Sequence, residues 1–119
     1  HVLGRGLKFC RPLLNHLNSD RPVYGLNAQM TNTQQTLSNG VEDLATYYIR
    51  QMRMIQPEGP YFLAGISFGG TVAYEMAQQL RSAGEEVAVL AMLDTPLSTV
   101  ISNDGDRSAA TRTISGVRP

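Results

Sequence analysis

Apolar residues at Cys10, Leu13, Leu14 and Leu17 keep the spacing of one helical face, and Pro12 is tolerated in a first turn, so a helix is predicted from about Lys8 to Leu17. The segment "RPVYGL", Arg21 to Leu26, is short, β-branched or aromatic at its centre and bounded by Pro22 and Gly25, which predicts a brief strand. The polar, aperiodic "NAQMTNTQQTLSNG" that follows reads as a loop. Asn39 then offers a helix N-cap with Glu42 as its capping-box partner, and Val41, Leu44, Ala45, Tyr48, Met52 and Ile55 share one apolar face. "QPEGP", Gln56 to Pro60, stops that second helix, because neither proline can donate a helical hydrogen bond.

Tyr61 to Ile66 is a continuous apolar run, as expected for a strand covered on both faces of a parallel sheet. A third helix is predicted from about Thr71 to Ala83, with Val72, Met76 and Leu80 on one face and Gly84 at its C-terminal stop. Val87 to Leu93 is a second unbroken apolar strand, ending at Asp94. The order helix, strand, helix, strand, helix, strand predicts an α/β fold: parallel strands joined by right-handed crossovers, with helices on both faces. From Pro96 the chain turns polar and aperiodic, so residues 96–119 are expected to be a loop or disordered tail.

Composition narrows the function classes. The chain has 119 residues, about one domain, with 10 Lys and Arg against 10 Asp and Glu. A formal net charge of +0 lacks the basic stripe that nucleic acid or an anionic membrane requires. The longest apolar run, Val87 to Leu93, is far short of the ~20 residues that cross a bilayer. No secretory leader pattern opens the sequence, and Cys10 is the single cysteine, so a soluble, cytoplasmic chain without an intramolecular disulfide is expected. Cys10, Met52, Met76 and Met92 read as core fillers, and Arg5 as a solvated loop charge.

The candidate chemistry centres on "AGISFGG", Ala64 to Gly70. Ser67 stands between Gly65 and Gly69 where a buried strand gives way to a helix, the context of a nucleophile elbow, in which flanking glycines let strand and helix approach closely. That geometry exposes the hydroxyl at the carboxyl edge of the sheet and turns the amide of Phe68 toward a developing oxyanion. The competing reading is a turn serine that caps the helix. Asp94, at the carboxyl end of the next predicted strand, is placed to be the carboxylate that orients a histidine base, or else a turn residue before Thr95 and Pro96. Where an elbow is completed by a triad the chain order is serine, acid, histidine, and no histidine follows Asp94 here. His16 reads as a surface or partly buried residue of the first helix, and His1 precedes the serine.

The segments "HVLGRGLKFCRPL", "RPVYGL" and "QPEGPYFLAGISFGGTVAYEMAQQLRSAGEEVAVLAMLDT" resemble the thioesterase domain that ends nonribosomal peptide and polyketide synthetases, a family with the α/β-hydrolase fold. The likeness spans residues 1–95, which are expected to form the central part of such a domain, the family's first strands lying upstream and its lid and catalytic histidine downstream. The fold implied is therefore a partial α/β-hydrolase. By the resemblance Ser67 is the acyl-accepting nucleophile and Asp94 the triad acid. The backbone amide of Val2, or that of Leu3, joins that of Phe68 in the oxyanion hole.

The resemblance further implies release of an acyl or peptidyl chain from a phosphopantetheinylated carrier protein by hydrolysis or cyclisation, with no metal and no bound cofactor. Within the same fold a free-standing editing thioesterase or a general esterase is the alternative. From a different class, a non-catalytic remnant or carrier-docking module also stays open, because the base is not in this sequence.

Overall fold

The computed structural model describes residues 7–17, 20–27 and 40–96. A 3-10 turn, Leu7–Cys10, leads into helix α1, Arg11–His16, with Pro12 in its first turn where a missing N–H costs nothing. The helix forms where the spacing predicts it, but its apolar face is not core: Leu13 is 46% and Leu17 52% exposed, and Cys10 is half-buried. Among the described elements α1 touches only the turn before it. Residues 22–27 carry no regular secondary structure, which corrects the strand expected over 21–26. A strand exists only through its ladder, and the one described sheet contains two other strands. Of this segment Leu26 packs on the core, while the Arg21 guanidinium lies over the Phe62 ring, 5.2 Å from its centroid.

Helix α2 spans Val41–Arg53. Its N-cap is Gly40, at φ 102, and not Asn39, which lies outside the described residues; no side chain caps the first turn. Glu42 and Asp43 in the first turn and Arg50 and Arg53 in the last complement the helix dipole instead. Strand β1, Tyr61–Ile66, helix α3, Phe68–Ser82, and strand β2, Val87–Leu93, form one parallel crossover unit. The register runs Leu63 beside Leu90 and Ile66 beside Leu93, with an irregularity between Tyr61 and Phe62.

The core lies between α2, α3 and one face of the sheet. Leu44, Ala45 and Tyr48 of α2 meet Val72, Ala73, Met76, Ala77 and Leu80 of α3 over Tyr61 and Leu63 of β1. Leu44, Tyr61, Val72 and Leu80 are the largest fully buried side chains, and full burial of each of the three aliphatic ones is worth about 1.5–3 kcal/mol. Burial alternates along β1: Tyr61, Leu63 and Gly65 are covered, whereas Phe62 is 57% exposed. The two described helices that pack on this core lie on one side of the sheet, and the unbroken apolar run, which predicts cover on both sides, supplies an opposite face that the described residues leave largely open.

Candidate active site

Ser67 follows directly on β1. Its backbone takes φ 54, ψ −125 before the chain enters α3, a conformation that costs a non-glycine residue about 1–3 kcal/mol. Three hydrogen bonds hold it there. The Ser67 amide donates to the Leu93 carbonyl (2.8 Å), extending the parallel ladder past the end of β1; the Gly70 amide donates to the Ser67 carbonyl (2.9 Å); and the Thr95 hydroxyl lies 3.2 Å from that same carbonyl. The Ser67 side chain makes no capping bond to α3, which removes the reading of this serine as a helix cap. The residue is exposed.

The helix begins at Phe68, three positions before the start predicted from periodicity. Gly69 and Gly70 form its first turn, and their poor helix propensity is what pushes a sequence reading past them. Close packing requires the glycines. A Cβ on Gly65 would strike the Gly69 carbonyl, and one on Gly70 would strike the Thr95 hydroxyl. Phe68 opens the helix, so its amide lies at the positive end of the α3 dipole. The far end stops as predicted at Gly84, at φ 81: Gly84 donates to the Arg81 carbonyl (3.0 Å) and Glu85 to that of Leu80 (2.9 Å), a Schellman stop.

Asp94 sits at the matching place on β2. The register pairs Ile66 with Leu93, and the Ser67 amide bonds the Leu93 carbonyl, so Ser67 and Asp94 leave the same sheet edge side by side. Asp94 is also a non-glycine residue at positive φ, 49, and it is exposed. Thr95, which the sequence pattern leaves as a turn residue before Pro96, joins the two corners through its hydroxyl, 3.3 Å from the Leu93 carbonyl. Its signal in the sequence is indirect: a glycine at 70 that has no turn of its own to make.

Of the remaining candidates, His16 is among the described residues and is not brought here. His16 is exposed on α1 and its Nδ1 pairs with the Pro12 carbonyl (2.7 Å), a bond inside its own helix. His1, Val2, Leu3 and Arg5 lie outside the described residues, as does the tail from residue 97 on. Among the described residues no three His, Cys, Asp or Glu side chains gather as a metal site, and no helix is long and apolar enough to cross a membrane.

Residues 1–115 match the family model of the thioesterase domain. Over 90 residues, 75% of this chain, the sequence is 44% identical to a dimodular nonribosomal peptide synthase of Bacillus subtilis (strain 168). Over 78 residues, 66% of the chain, it is 46% identical to polyketide synthase PksR of the same organism. Among solved structures, the NocB thioesterase domain in covalent complex with a fluorophosphonate nocardicin G analog is 47% identical; the match covers 46% of this chain and 24% of that one at a TM-score of 0.45. The chain spans 1% to 4% of the length of the curated relatives it matches.

Proposed function

Since this chain belongs to the thioesterase-domain family of nonribosomal peptide and polyketide synthetases, its parallel β1–α3–β2 unit being part of an α/β-hydrolase fold, we propose that Ser67 is the nucleophile of a chain-releasing acyl transfer. The observation that carries the reading is the pairing of two exposed, positive-φ residues, Ser67 and Asp94, at the carboxyl ends of neighbouring parallel strands.

The substrate is an acyl or peptidyl thioester carried on the phosphopantetheine arm of a carrier protein. A histidine from outside the described residues, oriented by the Asp94 carboxylate, takes the Ser67 hydroxyl proton as the oxygen attacks the thioester carbonyl. The amide of Phe68 at the start of α3, with that of Val2, stabilises the oxyanion of the tetrahedral intermediate. Collapse breaks the carbon–sulfur bond, and the histidine returns its proton to the departing thiolate. The acyl group, now an ester of Ser67, is released by water as an acid or by an internal amine or hydroxyl as a ring. No metal or bound cofactor takes part.

The reading is tested with a fluorophosphonate probe on the intact protein. Label is expected on Ser67 and is expected to vanish in Ser67→Ala; equal labelling of both proteins would overturn the assignment.

A further inference from the structure

The Thr95 hydroxyl carries one proton and lies between two carbonyls, 3.2 Å from that of Ser67 and 3.3 Å from that of Leu93. Those carbonyls lie where different strands end, Ser67 being the first strained corner and Leu93 immediately preceding the second, Asp94. Both are already ladder or turn acceptors: Leu93 takes the Ser67 amide and Ser67 takes the Gly70 amide. The threonine therefore closes a ring of hydrogen bonds around the place where β1 leaves the sheet. The first turn of α3 is shaped to admit it. A Cβ at Gly70 would occupy the position of the Thr95 hydroxyl and come within 2.9 Å of Thr95 Cβ and 3.0 Å of its Cγ2.

One consequence reaches the chemistry. The peptide group between Ser67 and Phe68 is planar and trans, so its C=O and N–H point in opposite directions. Whatever fixes the Ser67 carbonyl fixes the direction of the Phe68 amide. We infer that Thr95 is a positioning residue that aims the Phe68 amide at the developing oxyanion by holding the Ser67 carbonyl against the end of β2. The inference rests on the reading of Ser67 as nucleophile, and it assigns Thr95 no contact with substrate.

The test compares Thr95→Val, which keeps the shape and removes the hydroxyl, with Thr95→Ser, which keeps the hydroxyl. In the intact protein, the maximal rate constant for phosphonylation of Ser67 by a fluorophosphonate, with loss of fluoride, is expected to fall about three- to tenfold in Thr95→Val, the scale of one hydrogen bond's net contribution, with half-saturating probe concentration and final labelling stoichiometry unchanged. Thr95→Ser is expected within about twofold of the parent on the same scale. Gly70→Ala, whose methyl would take the place of the Thr95 hydroxyl, is expected to lower the rate at least as much as Thr95→Val. Parent rates in Thr95→Val would overturn the inference. So would equal losses in the valine and serine variants, or a loss confined to the fraction of sites labelled, which is what a purely structural residue produces.

Hydrogen exchange in the peptide covering residues 66–70 supplies a readout that does not depend on acylation: it is expected to quicken in Thr95→Val and not in Thr95→Ser, and unchanged exchange in both would overturn the inference. Persistent labelling of Ser67→Ala would instead sink the nucleophile reading, leaving exchange to decide the fate of the threonine bond.

Discussion

The two ends of the β1–β2 sheet use their polar groups in opposite ways. At the amino end they are spent on the protein itself: the Tyr61 hydroxyl lies 3.1 Å from the Gln56 backbone carbonyl and 3.0 Å from that of Pro57, and the Gln56 side-chain Nε2 donates to the carbonyls of Glu58 and Pro60. There Glu85 bridges two elements, one oxygen accepting from Arg53 (3.0 Å) and the other from the Gly59 amide (3.2 Å). At the carboxyl end Ser67 and Asp94 stand exposed on strained backbone, and Thr95 supplies the side-chain hydrogen bonds to the two strand ends. The lesson is that stability and chemistry are segregated along the strand axis, so substitutions at the two ends should fail in different assays.

The comparison is broken most decisively at the carboxyl end. Ser67→Ala is expected to lower acylation and thioester turnover by roughly 10³-fold or more, while its urea midpoint stays near that of the parent. Asp94→Asn should follow with a loss on the order of 10²- to 10⁴-fold in turnover at neutral pH, measured on a carrier-bound thioester, again without unfolding. If either variant instead lost its fold, the separation of roles would be wrong. Gly65→Ala tests the corner as packing: its methyl meets the Gly69 backbone, and a destabilisation of about 3 kcal/mol should appear in chemical denaturation, since a buried overlap with backbone has no flexible atom to yield.

At the amino end the effects are smaller and confined to stability. Tyr61→Phe removes a hydroxyl that serves two carbonyls and should cost about 1 kcal/mol in the same denaturation experiment, with acylation rates at the parent level. Glu85→Gln is expected to be the mildest, at most about 1 kcal/mol, because the Arg53 pair is partly exposed and the neutral amide still accepts from Gly59. Loss of turnover in either variant at full stability would show that the amino end reaches the chemistry after all.

Where the sequence was legible, a local pattern had its cause nearby. The apolar run 61–66, the glycines around Ser67 and the Gly84 stop each satisfy a constraint that lies within a few residues, and each is found in place. It was less legible where the cause lay in a partner. Residues 21–26 have strand composition but no ladder neighbour among the described residues, and the α1 face built from Leu13 and Leu17 has nothing described against it. The early start of α3 was hidden because Gly69 and Gly70 look like loop residues until the approach of Gly65 and Thr95 is known. Thr95 was marked only indirectly, by Gly70, since its own partners are carbonyls at positions 67 and 93.

The side-by-side placement of Ser67 and Asp94 comes from strand register and not from the length of chain between them. An insertion in the turn that follows α3 would leave the ladder rung from Ser67 to Leu93 untouched, as surface connections commonly tolerate added residues. A single residue deleted inside β1 or β2 would do the reverse, sending every following side chain of that strand to the other face and pulling one corner out of line. Among homologous chains, variation in length should therefore gather between residues 83 and 86 and be missing from 61–67 and 87–94.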